Sequence, residues 1–361
     1  MKTGAEAVSE SRQWMIYGAN GYTGRLIAQE AIRRGRKPVL AGRNAEAIRA
    51  IAAELDCPGR VFGLGDAAEI AAQLSDLRAV LHCAGPFSAT AEPMMEACLA
   101  AGVHYLDVTG EIPVIEAAAA RHARAVEAGV TMIPAVGFDV VPSDCLAAIL
   151  ARRLPEATHL ILAFIGVGKI SPGTARTMLE GLPQGGRVRV DGRIIKVPTA
   201  WKSREIPFRE GPRWAATIPW GDVASAWHST GIPNIEVYLA MSPGQIRWLR
   251  LGRPLLPLLR LPLPQSLLRS GMRRFLAGPS AKKGGARRGS FWGCVRDAQG
   301  NSAEATLETP EGYRLTALTA MASLEKVLAG EAPPGFSTPS KAFGAEFILR
   351  IPETDLRWKT P

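Results

Sequence analysis

A chain of 361 residues that is 47% hydrophobic and 21% charged can bury two large cores, and this composition excludes disordered and fibrous proteins. Basic residues exceed acidic ones by ten, 43 against 33, but the excess is local. Between Glu236 and Asp297 the chain has twelve Lys and Arg residues and no acidic residue. The first twelve residues lack the apolar core of a signal peptide, so we expect a cytoplasmic protein.

The first predicted element is a strand over residues 13–17, which runs directly into three glycines spaced three residues apart. Glycine has no Cβ, so the chain can turn sharply into a helix there and a pyrophosphate can approach the backbone. The free N–H groups at the start of the helix favour an anion. We therefore predict a nucleotide-binding turn, and a tight turn without a ligand is the alternative. The predicted contacts are Gly18, Asn20, Gly21, Tyr22, Thr23 and Gly24.

The residues after the second predicted strand, 37–41, bear on the choice between NAD and NADP. An acidic residue there would bind the ribose 2′-OH of NAD and repel a 2′-phosphate. This chain has Gly42, Arg43 and Asn44 instead, and a guanidinium can pair with the phosphate of NADP. Arg43 therefore predicts NADP, with a solvated arginine at a helix start as the alternative.

Strand and helix patterns continue to alternate over the first 140 residues. The predicted strands are 13–17, 37–41, 60–64, 79–85, 104–108 and 130–135. Six strands joined by helices predict an α/β Rossmann domain with a doubly wound parallel sheet. The turn after the fourth strand lies where such folds pass the backbone beneath the ribose and nicotinamide. Further predicted cofactor contacts are therefore Ala84, Gly85, Pro86 and Phe87.

Four motifs, in this order, resemble the saccharopine dehydrogenase-like oxidoreductases, in particular the branch of trans-acting enoyl reductases and saccharopine reductase-like proteins. The motifs are 18–24, 83–87, 105–111 and 137–144. The resemblance is good from residue 13 to about residue 190, moderate at 337–344 and poor between about 200 and 300. It implies NADP bound by an amino-terminal Rossmann domain and a second α+β domain, inserted before a helix that returns to the first.

These expectations divide the chain into three parts. Residues 13–155 are the predicted NADP-binding domain, 156–310 the second domain for substrate or dimerisation, and 311–361 the return to the first domain. A helix over 312–328 is the predicted returning element, because its leucines recur at helical spacing. The predicted strands of the second sheet are 160–167, 187–193, 235–241 and 303–308.

Several other chemistries are disfavoured by the residues. No tyrosine is followed four residues later by lysine, so the proton donor of classical short-chain dehydrogenases is absent. Cys145 lies near a predicted helix start, as the nucleophile of semialdehyde dehydrogenases does. Asp144 precedes it and would oppose thiolate formation, so a buried, inert thiol is the favoured interpretation. The five cysteines and five histidines lack metal-binding spacing, and we expect no metal site.

The candidate catalytic residues follow the carboxyl ends of predicted strands, where open parallel sheets bind ligands. They are Asp107, Thr109, Glu111, Asp139, Ser143 and Asp144. The weak candidates that we retain are Asp107 and Asp139, together with Lys169 as a cation facing the cleft. The structural alternatives are helix capping for Ser143 and Asp144, a tie between two loops for Asp107 and a solvated loop lysine for Lys169.

The basic excess lies in a leucine- and arginine-rich segment, 246–290. No apolar run within this segment is long enough to span a bilayer. Peripheral membrane contact through 246–276 is one interpretation, with leucines in the lipid and arginines on anionic headgroups. A helical hairpin that covers the cleft or forms a homodimer is the alternative. Nucleic acid is disfavoured, because aromatic residues are few and no binding motif accompanies the cations.

Together these features predict an NADP-dependent oxidoreductase that moves a hydride between nicotinamide and a C=C or C=N bond of an organic substrate. The leucine-rich segment favours a lipid-like or acyl substrate. A non-catalytic NADP-binding protein that acts at a membrane surface or on a partner is the alternative, because binding by a glycine turn requires no catalytic acid.

Overall fold

The computed structural model describes residues 13–166, 185–254 and 288–359, which fold around two β-sheets. Lys169 and residues 255–287 of the leucine- and arginine-rich segment lie outside the described residues. The first sheet is parallel throughout and has seven strands in the order β15-β6-β5-β4-β1-β2-β3. These are β1 (Gln13–Tyr17), β2 (Val39–Gly42), β3 (Gly59–Val61), β4 (Leu77–His82), β5 (His104–Asp107), β6 (Thr131–Ile133) and β15 (Gly335–Phe336).

Helices cover both faces of this sheet. They are α1 (Tyr22–Arg33), α2 (Ala45–Glu54), α3 (Ala67–Leu74), α4 (Phe87–Ala101), α5 (Ile112–Ala120), α6 (His122–Glu127) and, from late in the chain, α10 (Gly312–Leu328). Successive strand residues point to opposite faces, so Met15 and Ile16 enter different cores. Because both faces are buried, the strands are apolar runs rather than alternating ones. The sheet reverses its strand order between β1 and β4, and this arrangement confirms the predicted Rossmann domain.

The second sheet is mixed and has the path β10-β11-β12-β7-β13-β14-β16, with β8 pairing to β12 and β9. Its strands are β7 (His159–Ile165), β8 (Gly186–Val190), β9 (Arg193–Val197), β10 (Ser203–Phe208), β11 (Gly211–Thr217), β12 (Asn234–Ala240), β13 (Gly289–Arg296), β14 (Ser302–Thr309) and β16 (Asp355–Trp358). The helices beside it are α7 (Val141–Arg153), α8 (Asp222–Thr230), α9 (Pro243–Leu251) and α11 (Pro339–Phe343), followed by a 3₁₀ helix, Ala345–Arg350.

Helix α7 joins the two sheets through one continuous core. Its Leu146 is fully buried in a core cluster that contains residues of both sheets, among them Ile133 and Val295. The helix lies so close to β13 that a Cβ on Gly293 would stand 2.6 Å from Leu150 Cδ1. Burial along α7 therefore fixes the second sheet beside the carboxyl ends of the first.

Several elements differ from the sequence predictions, and strands β10, β11 and β13 of the second sheet were not predicted. The single strand predicted over 187–193 is a hairpin of β8 and β9, because Asp191 and Gly192 both have positive φ, 47° and 76°. A seventh strand, β15, extends the first sheet beyond the six predicted. Strand β16 pairs with β14 of the second sheet, so the segment predicted to return to the first domain contributes to both. The predicted helix over 312–328 is confirmed at both ends.

Candidate cofactor and active site

The glycine turn has the geometry of a backbone cradle. Gly18 has a φ of 86°, and a Cβ on it would lie 2.8 Å from the backbone nitrogen of Ala84. A Cβ on Gly24 would stand 2.4 Å from the carbonyl oxygen of Gly18. Both distances are too short for any side chain, so the turn requires glycine at both positions. This close packing brings the turn against the end of β4, where the second half of the sheet begins.

The first turn of α1 is available to an anion. Gly21 precedes the helix in an extended conformation, and no side chain of the described residues caps the first N–H groups. Asn20 and Gly21 are exposed beside this helix start, and Tyr22 and Thr23 are half-buried. The unpaired N–H groups and the helix dipole therefore fit a pyrophosphate at this point.

Arg43 lies exposed at the end of β2, next to the glycine turn. The carbonyl of Ala41 accepts hydrogen bonds from the N–H groups of Gly18 and Ala19, at 2.7 and 3.1 Å, and so ties β2 to the turn. Asn44, rather than Arg43, caps α2 by accepting from Ala47 N at 3.0 Å. No carboxylate of the described residues pairs with the Arg43 guanidinium. The end of β2 thus presents a free cation where the adenosine ribose of a dinucleotide lies in this fold.

Residues 84–87 form the turn after β4, between the two halves of the sheet. Gly85 is exposed, Ala84 and Pro86 are half-buried, and the Gly85–Pro86 peptide bond is cis. The Glu111 carboxylate accepts hydrogen bonds from Phe87 N and Ser88 N, both at 2.9 Å. The Glu111 carboxylate therefore occupies the start of α4. Of the two helices α1 and α4, α1 is the one whose start is free to bind an anion.

Asp107 uses both carboxylate oxygens to hold two loops together. Oδ1 accepts from the backbone N–H groups of Thr109 and Ala135, at 2.9 and 2.8 Å. Oδ2 accepts from the hydroxyl of Tyr105 at 2.6 Å. Burial raises the pKa of Asp107 to about 6 against the opposing effect of these hydrogen bonds. The Asp107 side chain therefore ties together the loops that follow β5 and β6, which is the structural alternative to a catalytic role.

Asp139 has a different environment. It follows β6, is half-buried, and packs against Gly110, where a Cβ would lie 3.0 Å from Asp139 Oδ2. Within the described residues no group donates a hydrogen bond to its carboxylate. No hydrogen bond from these residues therefore offsets the effect of burial, which raises the pKa of Asp139 to about 7. Near neutral pH this carboxyl can carry a proton and release it.

The second domain completes the surroundings of Asp139. Trp220 Nε1 donates to the backbone carbonyl of Asp139 at 2.6 Å and holds that loop in place. Phe164 packs on Trp220 with ring centroids 5.0 Å apart, and Phe138 and Phe291 extend the aromatic cluster. Trp220 thus links this aromatic cluster to the loop that carries Asp139.

Asp222 and Asp144 are two further buried carboxyls near Asp139. Asp222 Oδ2 accepts from the hydroxyl of Ser143 at 2.9 Å, whereas Oδ1 has no partner among the described residues. Burial, with repulsion from Asp144 and Asp139, raises the pKa of Asp222 well above its ordinary value. Asp144 accepts from Ser229 and from the N–H of Ser340, and burial raises its pKa as well.

Trp220 and Asp222 were not found by sequence reasoning. They lie in the region where the resemblance to the family is poor, about 80 residues after the motif that they contact. Only the packing of α8 against α7 brings them to the site. Cys145, by contrast, is fully buried, and burial together with Asp144 raises the pKa of its thiol well above its ordinary value. Among the described residues, no group of three or more His, Cys, Asp or Glu could hold a metal ion.

Comparisons with known proteins bear on the family and the fold. Residues 14–133 match the family model of the saccharopine dehydrogenase NADP binding domain. Trans-acting enoyl reductases of Mycobacterium ulcerans (strain Agy99) and Mycobacterium tuberculosis (strain H37Rv) are 29% and 30% identical over 183 residues. The match covers 46% of this chain and 44% of each relative, so the chain matches less than half the length of these relatives.

The solved saccharopine dehydrogenase (L-Glu forming) of Saccharomyces cerevisiae shares the fold over nearly the whole chain. It superposes with a TM-score of 0.67 at 10% sequence identity, covering 97% of this chain and 100% of that one. The superposition includes the second sheet, which the family model does not reach. The predicted resemblance and cofactor are confirmed for the amino-terminal part of the chain: residues 14–133 match the NADP-binding domain of the saccharopine dehydrogenase family.

Proposed function

We propose that this protein is an NADP-dependent reductase that adds a hydride and a proton across a C=C or C=N bond of an organic substrate. The observation that carries the proposal is the Asp139 carboxyl. It lies at the carboxyl end of the sheet, has no protein hydrogen-bond partner among the described residues, and has a pKa raised to about 7. A group that titrates near the working pH is suited to proton transfer.

Arg43 supports a preference for NADP over NAD. Its guanidinium is exposed beside the glycine turn and unpaired within the described residues, so it can bind a ribose 2′-phosphate through charge-assisted hydrogen bonds. The Gly42-Arg43-Asn44 sequence offers no carboxylate for the ribose 2′-OH of NAD. The glycine turn, the free start of α1 and Arg43 together fit the pyrophosphate and the adenosine end of NADP.

The protein's own residues position the reactants and supply the proton. NADPH, when bound, supplies the hydride. Residues 84–87 lie where the nicotinamide end would rest. Glu111, which accepts from Phe87 N, directly follows Gly110, against which Asp139 packs, and Trp220 holds the Asp139 loop. When one carbon of the double bond gains the hydride, the neutral Asp139 carboxyl donates its proton to the other atom of that bond. The resulting carboxylate then takes up a proton from solvent, which restores the acid for the next turnover.

An α,β-unsaturated acyl compound is the substrate class that we favour. Phe138 and Trp220 give the site an aromatic wall, and the mycobacterial relatives are described as enoyl reductases. Hydride addition at the β-carbon of an enoyl thioester leaves negative charge at the α-carbon, which a neutral acid can then protonate.

Single-turnover stopped-flow kinetics test the proposal. NADPH-loaded protein is mixed with enoyl thioesters, cyclic imines and ketones, and nicotinamide absorbance is followed. We expect oxidation of NADPH by the enoyl thioesters and slower or no oxidation by ketones. Tight NADPH binding without oxidation by any of the three classes would overturn the proposal and support a non-catalytic NADP-binding protein.

A further inference from the structure

Helix α9 presents the two most exposed large hydrophobic side chains of the described residues. Trp248 is 77% and Leu251 62% exposed, whereas the other exposed large hydrophobic residues range from 36% to 48%. Trp248 and Leu251 are three residues apart, so they project from the same side of the helix. Two such neighbouring side chains form a patch rather than an isolated surface residue.

The helix that carries this patch is firmly attached to the second domain. Ser242 and Gln245 form a capping box at its start, and Ile246 is buried against the sheet. At its end, Arg250 and Arg253 donate to the backbone carbonyls of Ala200 and Thr199, at 3.0 and 2.8 Å. The exposure of Trp248 and Leu251 is therefore a property of a fixed helix face.

Helix α9 also contributes residues to an apolar groove and to a basic cavity. The groove, of about 550 Å³, is lined by Leu239, Met241, Trp248 and Leu249 among others. The cavity, of about 850 Å³, is lined by Arg250 together with Lys202, Arg204 and Arg296 among others. Glu236 is the sole acidic residue among the described residues that line the cavity. Apolar and cationic surfaces thus lie side by side along one helix.

We propose that α9 docks this protein on the surface of an anionic phospholipid bilayer, with Trp248 and Leu251 in the interface and the basic cavity facing the headgroups. Tryptophan is favoured at the boundary between lipid and water, and each nearby cation adds attraction to an anionic surface. The charge is complementary, because among the described residues the cavity is lined by five Lys and Arg residues, Arg189, Lys202, Arg204, Arg250 and Arg296, against one acidic residue, Glu236. A second copy would bring an equally cationic surface against this one, which disfavours self-association here.

This mode of binding requires no membrane-spanning element. Within the part of the chain that the structure describes, no helix has the length and apolarity to cross a bilayer. An interfacial helix needs only one apolar side and adjacent cations, and α9 has both. The inference is independent of the proposed reaction, because neither Trp248 nor Leu251 belongs to the cofactor site.

Vesicle cosedimentation of the full chain tests the inference. Vesicles of phosphatidylcholine alone are compared with vesicles that contain phosphatidylglycerol, at low and high salt. We expect binding to the anionic vesicles that weakens about tenfold at high salt, because salt screens the attraction. The double variant Trp248→Ala/Leu251→Ala should bind anionic vesicles about tenfold less, since it loses the apolar contact.

Trp358→Ala is the matched control, because Trp358 is 46% exposed on the edge strand β16. It should bind vesicles like the unaltered protein, and both variants should retain the thermal stability and NADPH affinity of the parent chain. Absence of binding to anionic vesicles at low salt would overturn the inference. Equal binding by the double variant would do so too, as would a dimer in sedimentation velocity that this variant dissociates.

Discussion

Asp139 is the residue on which the proposed chemistry depends. Since burial raises the pKa of Asp139 to about 7, the carboxyl is protonated below that pH and can act as the acid for reduction. We expect the rate of substrate reduction to be constant at low pH and to fall tenfold per unit above about pH 7. Asp139→Asn should lower kcat by about 10²–10⁴ and abolish that pH dependence. The measurement is kcat against pH at saturating NADPH.

Asp107→Asn is the comparison for this variant, because Asp107 is also buried but has both oxygens engaged by backbone and Tyr105 donors. It should lower the thermal stability and leave the shape of the pH profile intact. An unaltered rate and pH profile in Asp139→Asn would exclude Asp139 as the proton donor. NADPH affinity, measured by fluorescence, should be unchanged in the Asp139 variant.

Arg43 allows a second test at the level of one side chain. Arg43→Ala removes the cation that would pair with the 2′-phosphate, and a charge-assisted bond contributes about 1.5–3 kcal/mol. The Kd for NADPH should therefore rise about 10- to 100-fold, while the Kd for NADH changes little. Arg49 is an exposed arginine in α2. Arg49→Ala removes the same charge and should change neither the Kd for NADPH nor the Kd for NADH. Equal losses for both cofactors would contradict a 2′-phosphate contact.

The glycine turn is an element whose shape is set by two contacts. A Cβ at position 24 would stand 2.4 Å from the carbonyl oxygen of Gly18, so Gly24→Ala must displace the turn from the start of α1. We expect a loss of about 1–3 kcal/mol in the free energy of unfolding, and a much weaker NADPH affinity. Isothermal titration and chemical denaturation measure the two effects. Gly65→Ala is the control, because a Cβ there meets no atom within 4 Å.

The elements that sequence predicts best are those with long periodic patterns. The prediction of helix α10 at Gly312–Leu328 rests on four apolar residues near helical spacing, Leu315, Leu318, Ala322 and Leu324. Strand β15 has only two residues and no pattern of its own; its pairing with β6 creates it. The β8–β9 hairpin does have a local signal in the sequence, Asp191-Gly192, which is typical of a type I′ turn and distinguishes a hairpin from the single strand predicted there.

The residues of the candidate site also differ in how well the sequence predicts them. The glycine turn and Arg43 could be predicted because their spacing along the chain mirrors their spacing in the fold. Asp139 could be named only as one of several acidic residues at strand ends. What distinguishes it from Asp107 is the absence of hydrogen-bond donors among the described residues, and what surrounds it includes Trp220 from the second domain. Long-range packing determines both properties, and it has no local signal in sequence.

At the scale of the whole molecule, we expect α7 to make the two sheets unfold as one cooperative unit, because their core is shared. Leu146 is fully buried in a core that contains residues of both sheets. Leu146→Ala leaves a cavity between them, and such substitutions cost about 2–5 kcal/mol. Because the core is shared, the amide groups of β1 in the first sheet and of β13 in the second should lose hydrogen-exchange protection together. Thermal unfolding should remain a single transition at a lower Tm.

NADPH provides the decisive comparison for this cooperativity. A ligand that binds only the folded first domain stabilises every element that unfolds with it. We therefore expect NADPH to increase the exchange protection of β13 as well as β1, in the parent chain and in Leu146→Ala. Leu349→Ala, at a side chain 36% exposed, should leave Tm within about 2 °C of the parent, because little apolar surface is lost there. If NADPH protected β1 while β13 stayed unchanged, or if two transitions separated on heating, α7 would be a contact between independent domains. In that case the Asp139 loop and Trp220 would also move independently of one another, and the environment that raises the pKa of Asp139 would depend on how the two domains close.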